Sequence, residues 1–140
     1  MKIGFLGAGN MGGAIARAAA RAGYRDVLLC DKDEVKAKAL AAELGCAAGS
    51  VTELSACDMI FLGVKPQFLK DAVAELLAAL RSARPLLVSM AAGVSLATLE
   101  AFAPSFPIIR IMPNTPVGVG EGMVLYTKGT LASDADAKAF

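Results

Sequence analysis

Ile3-Gly4-Phe5-Leu6 runs directly into Gly7-Ala8-Gly9-Asn10-Met11-Gly12, and the reading of this passage decides the fold. The first four residues form a short apolar strand; the next six form a G-x-G-x-x-G motif. An alanine-rich helix follows from about Met11 to Ala22, stopped by Gly23. A second strand, Val27 to Cys30, then ends on an acid, Asp31, roughly 20 residues beyond the last glycine. Glycine triplets also occur in ordinary turns, so the specificity lies in this context. Gly7 permits the tight turn, Gly9 leaves room for a pyrophosphate, and Gly12 lets the helix pack close to the sheet. The helix N-terminus offers unpaired amides and a partial positive charge to the phosphates. The passage predicts a dinucleotide-binding βαβ unit.

Outward from it, short apolar runs alternate with longer helical patterns. Glu34 to Leu44 reads as a second helix stopped by Gly45, and Cys46 to Ala48 as a brief strand. Ser50 and Glu53 have the spacing of a capping box. Asp58 to Val64 is the clearest strand, and its unbroken row of Met59, Ile60, Phe61 and Leu62 suits a parallel strand covered on both faces. Pro66 opens a helix whose apolar face carries Phe68, Ala72, Leu76 and Leu80, with Leu69, Val73 and Leu77 beside them. Leu86 to Met90, a short helix at Ser95 to Phe102, Ile108 to Met112 and Gly122 to Thr127 complete the series. The expected fold is α/β: a Rossmann-like, doubly wound, mainly parallel sheet with helices on both faces.

The totals narrow the function classes. In 140 residues, 56% hydrophobic and 19% charged, there is material for one domain with a real core. Fourteen Lys and Arg against 13 Asp and Glu leave a net charge of +1, which provides no field for nucleic acid or an anionic membrane. With no histidine, and with Cys30, Cys46 and Cys57 lacking any Cys-x-x-Cys pair, no metal site is expected and no imidazole base is available. The cysteines read as small apolar residues of a reducing compartment. The chain enters structured sequence without a signal peptide and has no run of ~20 apolar residues, so a soluble, cytoplasmic protein is expected.

Asp31 would accept hydrogen bonds from the adenosine ribose, which favours NAD, whereas Lys32 could pair with the 2′-phosphate of NADP; the two stay open. Three further segments lie at the ends of later strands, where an open parallel sheet binds its ligands. They are Gly63-Val64-Lys65-Pro66, Ser89-Met90-Ala91-Ala92-Gly93-Val94, and Arg110-Ile111-Met112-Pro113-Asn114-Thr115-Pro116. Small residues at Ala91, Ala92 and Gly93 would let a flat ring approach the backbone, and Pro113 and Pro116 would hold Asn114 in a rigid turn.

With Gly7-Ala8-Gly9-Asn10-Met11, the Val-Lys-Pro, Ala-Ala-Gly-Val and Met-Pro-Asn-Thr-Pro segments resemble the pyrroline-5-carboxylate reductase family in order and approximate spacing, from Lys2 to about Thr127. The resemblance implies reduction of the cyclic imine 1-pyrroline-5-carboxylate to L-proline by hydride from NADPH or NADH, with NADP slightly favoured. It implies that Leu6, Gly7, Ala8, Gly9, Asn10 and Met11 hold the pyrophosphate and that Asp31 and Lys32 meet the adenosine ribose. Ser50 stands where the family often has an asparagine touching the adenosine. Val64, Lys65 and Pro66 would line the ribose and nicotinamide side, Ala91, Ala92 and Gly93 would back the nicotinamide, and Asn114 would sit near the reacting centre. Such a reaction needs orientation and electrostatics more than acid–base groups, so the lack of histidine agrees with it.

The family also carries a C-terminal helical domain that dimerises and supplies the substrate-carboxylate loop. Residues 1–128 are therefore expected to form the dinucleotide-binding domain. Residues 129–140, with Ser133, Asp134 and Asp136 as cap and first turn, would begin a helix leading into that absent domain. The isolated chain would bind cofactor and turn over poorly, and the full-length protein would be a homo-oligomer. Two other readings remain: the N-terminal domain of a β-hydroxyacid dehydrogenase-type reductase, which takes its catalytic lysine from the following domain, and a non-catalytic dinucleotide-binding module.

Overall fold

The computed structural model describes residues 2–7, 9–24, 26–80, 83–90, 94–113 and 124–128. The strands are β1 (Ile3–Leu6), β2 (Val27–Cys30), β3 (Ala47–Ala48), β4 (Met59–Leu62), β5 (Leu86–Ser89), β6 (Ile108–Pro113) and β7 (Val124–Lys128). The helices are α1 (Asn10–Arg21), α2 (Glu34–Leu44), α3 (Pro66–Leu80) and α4 (Leu96–Phe102), with a 3-10 helix at Val51–Ala56. The sheet order is β3-β2-β1-β4-β5-β6-β7. All neighbours pair in parallel except β6 and β7, which pair antiparallel. The expected doubly wound, mainly parallel fold is present.

Side-chain alternation explains why the strands read as unbroken apolar runs. Ile3, Phe5, Val27, Leu29, Met59, Phe61, Leu86, Val88, Ile109 and Ile111 face one core, closed by Ile15 and Ala16 of α1 and Ala37, Leu40 and Ala41 of α2. Leu6, Leu28, Cys30, Ile60, Leu62, Leu87 and Ile108 face the other, closed by Leu69, Val73, Leu76 and Leu80 of α3 and Leu99 of α4. A period of two with both faces buried makes the central strands almost wholly apolar, with Ser89 at the end of β5 a buried polar exception. Phe5 and Phe61, register partners on neighbouring strands, stack with centroids 4.9 Å apart at 10°.

Most boundaries agree with the sequence reading to within a residue or two. Gly45 caps α2 in the left-handed region at φ 70, as a stop glycine should. Ser95 precedes α4 as its cap rather than belonging to it, its side chain accepting from the Thr98 N–H. β4 is shorter than Asp58 to Val64, because Gly63 and Val64 leave the ladder after Leu62. The helix expected from Ser133 lies outside the described residues.

One assignment is corrected. Phe68 does not share the buried face of α3: it is 55% exposed, while Leu69, Ala72, Val73, Leu76 and Leu80 are buried and Leu77 packs half-buried against them. The buried stripe is centred on the Leu69–Val73–Leu76–Leu80 line, which turns Phe68 at its edge outward.

The chain travels from β1 outward to β2 and β3, then returns across the sheet to β4, which lies on the other side of β1. Connections on the two sides diverge at that reversal and leave a crevice beyond the carboxyl ends of β1 and β4. Gly7, Gly9, Gly63 and Val64, which follow those two strands, border it.

Candidate functional site: a glycine-lined crevice

Four glycines meet at the crevice, and their neighbours separate their duties. Gly7 turns at φ +99, and a Cβ there would meet the Gly63 carbonyl carbon at 2.7 Å and the Val64 nitrogen at 2.8 Å. A Cβ on Gly12 would collide with the Gly7 carbonyl oxygen. One on Gly63 would stand 2.7 Å from that same oxygen and 3.2 Å from the Gly12 Cα. These three let β1, β4 and α1 approach backbone to backbone. Gly9 differs, since a Cβ there would meet nothing within 4 Å. Among the described residues no packing contact calls for its bareness, which leaves open space at the head of the helix.

Hydrogen bonds hold the turn in place. The Gly7 N–H donates to the Cys30 carbonyl at 2.8 Å and the Gly63 N–H to the Leu6 carbonyl at 2.8 Å. Gly9 is the N-cap of α1 in an extended conformation, with no side chain to satisfy the first amides and no acidic residue in the first turn. By contrast, α2 and α4 are capped by the Asp33 and Ser95 side chains. The N-terminus of a twelve-residue helix thus carries its amides and partial positive charge with no side-chain cap and no acid in its first turn.

A cavity of about 590 Å³ extends from this point. Of the residues singled out in the sequence, Leu6, Gly7, Gly9, Asp31, Lys32, Ser50, Val64 and Lys65 line it. Pro66 does not line it; it is the exposed first residue of α3. Asn10 and Met11 form the first turn of α1. Ala8, Ala91, Ala92, Gly93 and Asn114 lie outside the described residues. The wall also holds residues the sequence reading did not assign: Cys30, Glu34, Lys36, Gly49, Val51, Thr52, Gly63, Phe68, Ala72 and Glu75. Gly63, as the first residue after a buried parallel strand, had a usable signal. Phe68 and Glu75 depend on the rotation of α3, which the apolar pattern placed slightly wrong.

Local bonds fix the polar groups. Asp31 Oδ1 accepts from the Asp33 N–H at 2.9 Å, and Asp33 Oδ1 accepts from the Lys36 N–H at 3.1 Å. The Ser50 N–H donates to Glu53 Oε1 at 3.2 Å, so Ser50 serves the start of the 3-10 helix as its spacing predicts. Arg110 Nε donates to the Val94 carbonyl at 2.9 Å, tying the end of the segment after β5 to β6. Burial, reinforced by the Asp31 carboxylate, pushes the Cys30 thiol up to about 11. It therefore presents a neutral, unreactive group to the cavity. Among the described residues no cluster of His, Cys, Asp and Glu could hold a metal, and no helix is long and apolar enough to cross a membrane.

The chain is similar to known proteins in sequence and in fold. The family model described as NADP oxidoreductase coenzyme F420-dependent matches residues 2–93. A pyrroline-5-carboxylate reductase of Corynebacterium melassecola is 34% identical, over 91% of this chain and 50% of the relative. That of Haemophilus influenzae is 40% identical over 86% of this chain and 46% of its own. The crystal structure of Plasmodium falciparum pyrroline carboxylate reductase with NADP bound superposes with a TM-score of 0.82 at 29% identity, covering 99% of this chain and 52% of that one. The chain spans about half the length of the curated relatives it matches. It belongs to the family described as NADP oxidoreductase coenzyme F420-dependent, and within that family it is a homologue of the pyrroline-5-carboxylate reductases.

Proposed function

We propose that this chain is the cofactor-binding part of an NAD(P)H-dependent pyrroline-5-carboxylate reductase, which reduces a cyclic imine to L-proline in the cytoplasm. The observation that carries the reading is Gly9: a bare N-cap facing open space, at the head of an uncapped helix and on the wall of a cavity that also holds Asp31. Within a fold that uses its other crevice glycines for packing, this one fits a pyrophosphate. Homology to reductases of this one imine supports the substrate.

The imine reacts as its protonated, cationic form: hydride adds to the carbon, the C=N π electrons pass to the nitrogen, and the nitrogen keeps the proton it took from solvent, so C=NH⁺ becomes a secondary amine. The bound nicotinamide supplies the hydride. The chain's own residues would bind and orient: Leu6 to Met11 the phosphates, Asp31 and Lys32 the adenosine ribose, and Ser50 the adenosine end, a reading supported by Leu6, Gly7, Gly9, Asp31, Lys32 and Ser50 sharing one cavity wall. Val64 and Lys65 would flank the nicotinamide side, with Pro66 next to them in sequence, and the family resemblance assigns Ala91, Ala92 and Gly93 to the ring and Asn114 to the imine. Holding two reactants in register accounts for much of such a rate enhancement.

In this reading residues 1–128 are the dinucleotide-binding domain and 129–140 begin the helix that joins it to a helical domain. That domain completes the substrate site and makes the homo-oligomer. The chain alone should bind NAD(P)H and show no sustained turnover. A chimera carrying the remaining half of the Corynebacterium relative should oxidise NAD(P)H with pyrroline-5-carboxylate. A folded, cofactor-binding chimera that leaves the imine untouched would refute the substrate; a chain that binds no dinucleotide would refute the reading outright.

A further inference from the structure

We infer that Glu75 reads the base of the dinucleotide, selecting adenine over purines that carry an oxygen in place of the amino group. The inference rests on the dinucleotide reading above and carries it past the ribose to the base.

A dinucleotide with its pyrophosphate at Gly9 and its ribose at Asp31 must place the base farther along the same wall. There the cavity runs between two elements that pack against each other, the 3-10 helix and α3. Val51 lines it from the first, Phe68, Ala72 and Glu75 from the second, and Cys30 from the end of β2. Positions 68, 72 and 75 follow the four- and three-residue steps of one helix face, so α3 presents a ring, a methyl and a carboxylate in a row. The Cys30 thiol stays neutral, through burial first and then through nearby carboxylates, Glu75 among them.

Apolar walls of this kind hold a flat base by contact but distinguish poorly between purines of the same shape. Glu75 adds the distinction. Its carboxylate makes no ion pair or hydrogen bond among the described residues, although Lys32, Lys36 and Lys65 line the same cavity. Glu53, the acid of the 3-10 helix, is already committed, since its Oε1 accepts from the Ser50 N–H at 3.2 Å. An ionised carboxylate can only accept, and the amino group of adenine donates to it; an oxygen at that place on the ring would set acceptor against acceptor. Glu75 is exposed and water competes for it, so the discrimination is modest, about three- to tenfold in affinity.

Reduced nicotinamide hypoxanthine dinucleotide carries that oxygen and otherwise shares the ribose, pyrophosphate and nicotinamide of NADH. The chain has no tryptophan, so the fluorescence of the reduced nicotinamide reports the binding of both probes without interference. The wild-type chain should bind NADH about three- to tenfold tighter. In Glu75→Gln the carboxamide can turn either its oxygen or its N–H to the base, so the ratio should fall to about one, chiefly through tighter binding of the hypoxanthine probe. Thermal unfolding checks that this exposed helix substitution leaves the chain folded. Equal or tighter binding of the hypoxanthine probe by the wild type overturns the inference and leaves the proposed function standing. So does an unchanged ratio in folded Glu75→Gln. Failure of the wild type to bind either probe overturns both.

Discussion

Gly9 and Gly12 occur in one motif, and replacing each by alanine should give opposite results. At Gly9 the backbone is extended, φ −73 and ψ −161, a conformation open to alanine, and the added methyl meets no atom within 4 Å. An alanine N-cap costs about 0.5–1 kcal/mol relative to a better cap, and the less flexible unfolded chain returns about 0.4–1 kcal/mol. Gly9→Ala should therefore stay within about 1 kcal/mol of the wild type. The methyl nevertheless occupies the space before the α1 amides, and losing one charge-assisted hydrogen bond of ~1.5–3 kcal/mol weakens dinucleotide binding roughly 10- to 100-fold. At Gly12 the methyl meets the Gly7 carbonyl oxygen, a backbone atom that cannot rotate away. Overpacking of that kind costs about 1–3 kcal/mol, while helix propensity returns at most about 1 kcal/mol. The net loss of about 1–2 kcal/mol lowers Tm by several degrees, on the order of 3–8 °C. Thermal unfolding without ligand and titration with NADH or NADPH separate the two effects. If Gly9→Ala binds as the wild type does, or melts as early as Gly12→Ala, the division of labour among the glycines is wrong.

Three further outcomes are expected. Phe68 is 55% exposed on the cavity wall, so Phe68→Ala should leave Tm nearly unchanged yet weaken dinucleotide binding a few-fold, since ring contacts of this kind are worth ~0.5–1.5 kcal/mol; unaltered binding would remove the ring from the site. Leu76→Ala, at a fully buried position of α3, should cost about 2–5 kcal/mol in urea unfolding with no direct effect on ligand contacts. Burial pushes the Cys57 thiol up to about 11 from an ordinary 9.0. Because the unfolded thiol ionises first, stability should hold below pH 9 and fall as pH rises from 9 to 11; Cys57→Ala should flatten part of that fall, by on the order of 1 kcal/mol.

The fold was legible because its strands are buried on both faces. Met59 to Leu62 can be apolar throughout only if helices cover both sides, and the period of two sorts its neighbours into two cores without further instruction. Stop signals worked where the backbone demands them, as at Gly45 with its left-handed φ. The site was legible in part. Residues placed by strand ends, such as Gly7, Asp31 and Val64, follow from topology, because an open parallel sheet puts all its carboxyl ends on one edge. Residues placed by helix rotation do not. Phe68 repeats at the same four-residue interval as Ala72, Leu76 and Leu80, and the sequence period assigns it to the core. The packed helix centres on Leu69, Val73 and Leu76 instead, and one residue at the edge of the stripe turns outward into the cavity.

The same distinction bears on how a G-x-G-x-x-G passage should be read in any chain. Sequence alone cannot divide a glycine needed by the fold from one needed by a ligand, since both are missing the same atom. The surroundings of the absent Cβ can. Around Gly7, Gly12 and Gly63 the space is filled by backbone of the opposing segment, so selection for packing would retain those glycines in a protein that had lost its cofactor. Around Gly9 the space is open, and among the described residues nothing lies within 4 Å to resist a side chain there. A binding-silent relative of this fold should therefore keep three glycines and be free to change the fourth. The presence of glycine at position 9, where the described residues make no demand for it, is what the proposed phosphate-bearing ligand would explain.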